Sequence, residues 1–237
     1  MKTQAIVASA GVGKRLRAAV RKPYISLRGI PVLIRTLKAL AASRHIDGIV
    51  VVANPLDRDR CAGLIRRYKV GKVVAVVAGG KERSDSVRNG LAVIDPDTDI
   101  VLIHDGVRPF IDEDVLARSI ACAARRGASV VGVPVKATIK KVTSHQSPAT
   151  SQKKYTVKET IDRNDLWEIQ TPQVFKKELI VRAYKQRAGA GVTDDSMLVE
   201  RLGVKPEMVL GSYYNIKITT PEDLVIAAAI VRAKKNV

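Results

Sequence analysis

The stretch "ASAGVGKRL" (8–16) follows the apolar run "AIV". It gathers two glycines, Gly11 and Gly13, beside Lys14 and Arg15, with Lys22 a little further on. Glycine lets a main chain approach an anion closely and turn its amides inward. Free amides next to three cations suit a polyanion such as a nucleoside triphosphate. The two commonest phosphate loops do not fit. A Walker loop needs Ser or Thr after Gly-Lys, and Arg15 stands there; a dinucleotide fingerprint needs a third glycine at position 16, which is Leu16. By itself the same G-x-G also serves as a plain tight turn. Further polar groups follow the apolar run "IVLIH". Asp105 can accept hydrogen bonds from hydroxyls, and Arg108 can grip two oxygen atoms at once. His104, at the end of that run, reads as a packed or hydrogen-bonded histidine. Cys61 and Cys122 lie in helical patterns with no second Cys or His at metal spacing, and read as two reduced thiols.

Such residues need a frame that brings strand ends together. The sequence alternates strand-like and helix-like segments: "QAIVASA", then "PVLIRTLKALAAS" opened by Pro31, "DGIVVVANP" stopped by Asn54 and Pro55, and "DRDRCAGLIRRY". "KVVAVVAGG", "ERSDSVRNGLAVI", "DIVLIHDG", "DEDVLARSIACAARRG" and "ASVVGVPV" continue the alternation. Continuous apolar strands between helices predict an α/β fold: a Rossmann-like, mostly parallel twisted sheet with helices on both faces. Ligands of such sheets bind at the carboxyl ends of strands. After Val142 the pattern breaks. A polar stretch flanked by "TIKKV" and "KYTVKETI" predicts a two-stranded arm, and an isolated hairpin is marginal in water, so a second subunit is its expected support. Helical patterns return in "KKELIVRAYKQRA" and "DDSMLVERLG". The stretch "NIKITTPEDLVIAAAIVRA" predicts a strand passing into a helix, with Thr220 as N-cap and Pro221 in the first position. The chain is read as one domain over 1–237, with 139–163 as the arm.

The net charge of +18 suggests anionic partners: nucleic acid, a membrane surface or phosphorylated small molecules. The cations are spread along the chain, and pairs such as Arg66 and Arg67 or Arg125 and Arg126 close predicted helices, where they suit the helix dipole. Aromatic residues are only 4% of the chain, which leaves little for stacking on single-stranded nucleic acid. No apolar run approaches the length of a membrane span. The apolar stretch of "MKTQAIVASA" is too short for a secretory signal, so a cytoplasmic protein is expected.

"AGVGKRL" with a basic residue soon after resembles the signature of sugar-nucleotide pyrophosphorylases. Further blocks narrow it. "GGKERSDSV" (79–87), "HDGVRPF" (104–110), "TIDRNDLWEIQTPQVF" (160–175), "VTDDS" (192–196) and "NIKITTPEDL" (215–224) occur in this order. Over nearly the whole chain they resemble the 2-C-methyl-D-erythritol 4-phosphate cytidylyltransferase family. The resemblance implies transfer of a cytidylyl group from CTP to a sugar-alcohol phosphate, with Mg²⁺ bridging the CTP phosphates, in a homodimer joined through the arm.

It also implies roles. Arg15 and Lys22 hold the triphosphate, and Lys217 faces the same phosphorus from a later strand. Ser9, Ala10, Gly80, Lys81 and Ser86 match positions that meet cytosine, joined by Gly11, Gly13 and Lys14 of the loop. Asp105, Arg108, Thr138, Arg163, Thr171 and Thr193 match positions that meet the acceptor, Thr138 and Arg163 acting across the dimer. No residue is assigned to a metal. Two departures stand out: Ala137 where the family often has Asp before Thr138, and Pro23 after Lys22, which biases Lys22 towards an extended backbone. Within the chain, Asp162 or Asp165 could pair with Arg163 instead, Trp167 reads as a packing anchor near the arm's base, and Asp194 and Asp195 read as helix-start acids. A ribitol 5-phosphate cytidylyltransferase shares this mechanism. A basic RNA-binding module and a nucleotide sensor without activity are readings from other classes.

Overall fold

The computed structural model describes residues 1–11, 21–146, 153–186 and 192–233. It begins with β1 (Thr3–Ser9), then the short hairpin β2 (Ser26–Leu27) and β3 (Ile30–Pro31), α1 (Val32–Ala42) and β4 (Gly48–Ala53). Next come α2 (Arg58–Arg67), β5 (Val73–Ala78), α3 (Arg83–Leu91), β6 (Ile100–Asp105), α4 (Glu113–Arg126) and β7 (Ala128–Pro134). β8 (Ile139–Gln146) and β9 (Lys153–Ile161) follow, then β10 (Trp167–Lys176), α5 (Lys177–Lys185), α6 (Ser196–Glu200), β11 (Glu207–Leu210) and α7 (Pro221–Ala233).

The central sheet has seven strands in the order β11-β7-β10-β6-β1-β4-β5. All neighbours are parallel except β10, which runs antiparallel to both β6 and β7. β4 and β6 are buried at every residue. That is why they read as unbroken apolar runs: alternate side chains enter cores on opposite faces. Val51, Ala53 and Leu102 join Leu33 and Leu37 of α1 on one side, while Val50, Val52 and Ile103 join Val87 of α3 and Ile180 of α5 on the other. Each of the Val, Leu and Ile side chains here contributes roughly 1.5–3 kcal/mol by leaving water. A third cluster joins α7 to Leu27, Phe110 and Ile218. The register aligns Ala8 with Asp105, Ser9 with Ala53, and Ala53 with Ala78. The carboxyl ends of β1, β4, β5 and β6 therefore share one edge.

Four local features differ from the sequence-based expectation. Pro31 does not open α1 from inside. It pairs with Ser26 in the β2–β3 hairpin and caps the helix, which starts at Val32. The expected strand over "NIKIT" does not form. That segment runs past the end of β6 without ladder pairing, tied there by a main-chain bond from Ile218 N–H to the Val107 carbonyl. β10 and β11 were not anticipated, because β10 carries polar Gln170, Thr171 and Gln173 inward and β11 has only four residues. Lys22 is not extended either: it opens a 3-10 turn (Lys22–Tyr24), and the extended backbone falls on Arg21.

Thr220 does start α7. Asp223 N–H donates to Thr220 Oγ1, and Asp223 Oδ2 accepts the Thr220 N–H at 2.8 Å in return. β8 and β9 pair with each other from Ile139↔Ile161 to Gln146↔Lys153 and form their own two-stranded sheet. Val142, Tyr155 and Val157 of this ribbon are exposed. Trp167 starts β10 opposite Pro134, close to the ribbon's base. Cys61 and Cys122 are buried, unpaired thiols in α2 and α4. No helix among the described residues is long and apolar enough to cross a membrane.

Candidate active site

A cavity of about 480 Å³ opens at the shared carboxyl edge of β1, β4, β5 and β6. Ser9, Ala10 and Gly11 enter it from β1, Gly80, Lys81 and Ser86 from the β5–α3 junction, and Lys22, Asp105 and Lys217 from three further segments. Close packing shapes the base of the cavity. A Cβ on Gly79 would lie 2.3 Å from Ala10 Cβ, and one on Gly80 would lie 2.3 Å from Asp85 Cβ. Neither glycine has a positive φ, so what requires glycine here is the approach of neighbouring chain, not a turn. Ser86 Oγ accepts the Gly80 N–H at 3.1 Å and donates to the Glu82 carbonyl at 3.1 Å. Glu82 and Asp85 form a reciprocal capping box that begins α3 here. Ser9 Oγ donates to the Val52 carbonyl at 2.8 Å, which joins β1 to β4 at the cavity floor.

One carboxylate organises the other wall. Lys217 Nζ lies 2.9 Å from Asp105 Oδ2, Arg108 Nε lies 3.3 Å from the same oxygen, and Arg83 Nε lies 3.8 Å from Oδ1. Burial opposes ionisation of Asp105, but Lys217, Arg83 and Arg108 outweigh it and hold the carboxyl below the usual carboxylate range. Arg83 also pairs with buried Asp195, Nη2 to Oδ2 at 2.7 Å, while Tyr184 O–H donates to Asp195 Oδ1 at 2.5 Å. Three cations against two carboxylates leave this cluster net positive, and the half-exposed Lys217 carries its charge to the cavity.

Lys217 is held without a strand. Asn215 Nδ2 donates to Gln170 Oε1 at 3.1 Å and to the Thr171 carbonyl at 2.9 Å, and the Asn215 carbonyl accepts from Arg108 Nη1 at 2.7 Å. On the other side Ile218 is fully buried beneath α7, and Thr219 donates to Asp223. These ties fix the main chain on both sides of the lysine.

His104 sits behind Asp105 and is fully buried. Thr171 Oγ1 accepts the Asp105 N–H at 3.0 Å and lies 3.1 Å from His104 Nδ1, while His104 Nε2 faces the Arg108 carbonyl, which can only accept and so fixes the proton on Nε2. Nδ1 is then the acceptor, and Nε2–H donates to the Arg108 carbonyl at 3.1 Å. This is the neutral tautomer, and burial pushes the imidazole pKa down to about 4. Between about pH 6.5 and 4 the unfolded state binds the proton and the folded state does not, so stability falls as pH falls through that window. The loss is about 3 kcal/mol, complete near pH 4. Urea unfolding at pH 7, 5.5 and 4 checks it: wild type should lose stability across the series, and His104→Gln should lose less. Equal slopes in the two proteins would remove His104 as the cause.

The remaining expected site residues lie elsewhere. Arg108 is buried behind Asp105, with Nε and Nη1 engaged inside the protein, and Thr171 is buried in the His104 relay. Thr138, Arg163 and Thr193 are exposed outside the cavity lining. Thr193 Oγ1 donates to Met197 Sδ at 3.1 Å. Arg163 pairs with neither Asp162 nor Asp165 and donates instead to the Lys136 carbonyl. Asp194 accepts the Met197 N–H at the start of α6, whereas Asp195 turns inward to Arg83 and Tyr184. Gly13, Lys14 and Arg15 lie outside the described residues. Arg83 and Asn54 also line the cavity, and no sequence pattern marks either as a site residue. Arg83 sat in plain view within "GGKERSDSV", but an arginine near a helix start carries no local mark of two distant carboxylates.

The chain matches the family model described as 2-C-methyl-D-erythritol 4-phosphate cytidylyltransferase over residues 3–233. A relative of that name from Geobacillus thermodenitrificans is 44% identical over 236 residues, covering 99% of each chain. Another from Alkaliphilus metalliredigens is 43% identical over 241 residues, covering 99% of this chain and 95% of the relative. The crystal structure of 4-diphosphocytidyl-2C-methyl-D-erythritol synthase from Anaerococcus prevotii superposes with a TM-score of 0.82 at 34% identity, covering 98% of this chain and 96% of that one. Full-length agreement in sequence and in fold, around a cationic cavity at the strand ends, makes this chain a member of the 2-C-methyl-D-erythritol 4-phosphate cytidylyltransferase family.

Proposed function

We propose that this protein joins the phosphate of 2-C-methyl-D-erythritol 4-phosphate to the α-phosphorus of CTP and releases pyrophosphate, in isoprenoid precursor synthesis. The observation that carries the reading is the cavity itself, lined by Lys22, Lys81 and Lys217 around loops pared down to glycine and serine. A phosphate oxygen of the acceptor attacks the α-phosphorus. The bond from that phosphorus to the oxygen bridging to the β-phosphate breaks, and pyrophosphate leaves with the electron pair. The attacking phosphate has a second pKa of about 6, so it is ionised near neutral pH and needs no general base. What the reaction needs is positioning and neutralisation of charge. Lys22 and Arg15 hold the α- and β-phosphates, and Lys217 stabilises the charge that grows at the α-phosphorus. The main chain of Ala10 and Gly80 reads the cytosine edge, and Asp105 accepts from acceptor hydroxyls.

The family resemblance implies Mg²⁺. Two carboxylates line the cavity, but Glu82 caps α3 and Asp105 is engaged by three cations. Among the described residues no group of three or more His, Cys, Asp or Glu is placed to hold an ion. The donor set fits an ion that arrives on the triphosphate, held by phosphate oxygens and water. Bound that way, Mg²⁺ neutralises phosphate charge. The buried free thiols Cys61 and Cys122 accord with work in the reducing cytoplasm.

The exposed ribbon of β8 and β9 is read as a dimerisation arm. It presents Val142, Tyr155 and Val157, and a free two-stranded sheet is marginal in water. Thr138 and Arg163, at the arm's base, then serve the partner's cavity, Arg163 clamping the acceptor phosphate. Arg163→Ala should raise the KM for acceptor by roughly tenfold to a hundredfold, the worth of one charged hydrogen bond, and leave the KM for CTP nearly unchanged. Steady-state kinetics with each substrate varied in turn reads this. A monomer in sedimentation at working concentration would sink the cross-subunit role. The overall reading is tested by pyrophosphate release from CTP and Mg²⁺ with methylerythritol 4-phosphate and ribitol 5-phosphate offered separately. Release with the first alone is expected; release with the second alone would reassign the acceptor.

A further inference from the structure

Asn54 stands where β4 ends and is part of the cavity lining. Nδ2 donates to the Ala10 carbonyl at 3.2 Å. Oδ1 accepts from Arg21 Nη1 at 3.0 Å and from Leu56 N–H at 3.1 Å. The amide orientation follows from its neighbours: a carbonyl can only accept, and a guanidinium can only donate. The same Arg21 nitrogen pairs with Asp57 Oδ2 at 2.5 Å. Asp57 closes the short turn that begins with Pro55, so Asn54 and Asp57 reach Arg21 from one rigid corner.

The two ends of this amide thus hold two different stretches of chain that meet in the cavity. One is the end of β1, where Ala10 and Gly11 line the wall. The other is Arg21, whose neighbour Lys22 also lines the wall. Arg21 further sets the turn that presents Lys22, since its carbonyl accepts the Tyr24 N–H at 3.0 Å. Ser, Thr or Asp at position 54 could also cap the turn that ends β4, by accepting the Leu56 N–H. None could donate to one segment and accept from the other across this span.

We propose that Asn54, backed by Asp57, is a positioning residue for the nucleotide: it sets the spacing between Ala10 and Lys22 across the cavity. The proposal rests on the cytidylyl-transfer reading. Asn54 acts through Ala10 and Arg21, not on the substrate. Its amide is spent on the protein, and the part of the cavity it orders is the nucleotide part. The acceptor side, around Asp105, and the segment that carries Lys217 to the reacting phosphorus are held by separate bonds from Asn215 and Thr219.

Three variants grade the effect. Asn54→Ala removes both ties. Asn54→Asp keeps the shape and the Arg21 tie but sets a carboxylate oxygen against the Ala10 carbonyl. Asp57→Asn leaves Asn54 intact and weakens only the backing of Arg21. The KM for CTP and the dissociation constant of CTP by calorimetry should both rise, by about tenfold in Asn54→Ala and less in Asp57→Asn. The KM for acceptor should change by less than twofold in all three. A purely structural role would lower melting temperature without this split between substrates. Wild-type CTP affinity in a folded Asn54→Ala protein, or equal rises in both KM values, overturns the proposal. Should Asn54→Ala not fold, Asn54→Asp and Asp57→Asn decide by the same split. Failure of the wild-type protein to bind CTP or release pyrophosphate would instead overturn the underlying reaction, which keeps the two outcomes distinct.

Discussion

Lys217→Ala should lower kcat by about a hundredfold to a thousandfold while leaving the fold and CTP affinity nearly intact. The magnitude is that of removing one preorganised donor from a developing charge. The fold stays intact because Lys217 is held locally by its neighbours. Lys217 is 42% exposed, and its segment is fixed by Asn215, by buried Ile218 and by Thr219 on Asp223, none of which involves the lysine side chain. Asp105 keeps Arg83 and Arg108 when Lys217 is gone. The ammonium lies 2.9 Å from Asp105, so a bound phosphate competes with a carboxylate for it. Lys217→Arg keeps the charge but replaces a compact ammonium by a planar fork, and should recover only part of the rate. Initial rates of pyrophosphate release, with CTP affinity measured by calorimetry, give both quantities. A kcat within fivefold of wild type in Lys217→Ala would place the transition-state cation elsewhere.

Asp105→Asn should produce the largest loss of stability. It leaves Arg83, Arg108 and Lys217 converging on a neutral amide, and Arg108 is nearly buried. Removing one partner of a buried pair costs on the order of 3–5 kcal/mol, because the surviving charge stays desolvated. For a chain of this size that is a fall in melting temperature of roughly 10 °C. Function should move in two directions. Turnover falls, because the group that receives acceptor hydroxyls loses its charge. Pyrophosphate binds at least as tightly, because Lys217 is released from its carboxylate. The pH dependence has a definite sign. The folded pKa of Asp105 lies below its unfolded value, so its contribution is present above about pH 4 and is lost as pH falls through the folded pKa. The stability gap between wild type and Asp105→Asn should therefore stay constant from pH 8 to 5 and narrow only in stronger acid. Calorimetric melting at several pH values measures it, and a gap that closes between pH 7 and 5 would assign it to another group, His104 first.

The central strands and the helices on them were legible in the sequence, because burial on both faces imposes unbroken apolar runs such as "GIVVVA" and "IVLIHD". So was the start of α7, where Thr220, Pro221 and Asp223 form a local signal that needs no distant partner. The family blocks pointed to Asp105, Lys22, Lys217, Gly80 and Ser86, which meet in one cavity. What stayed hidden depended on partners far along the chain. β10 holds Gln170, Thr171 and Gln173 inward because Asn215, His104 and Asp195 satisfy them, and a polar residue in a strand gives no sign of such partners beforehand. Lys217 needed no strand, because side-chain bonds from Asn215 to the Thr171 carbonyl and from Thr219 to Asp223 replaced the ladder. Asn54 read as the stop of a strand, which it is, and its grip on Ala10 and Arg21 exists only once β1 and β4 lie side by side. Arg83 reaches Asp105 and Asp195 across the same edge. Periodicity records which side of an element is buried. The pairing of charges and amides at the strand ends is set by register and crossover, and only the folded sheet decides it.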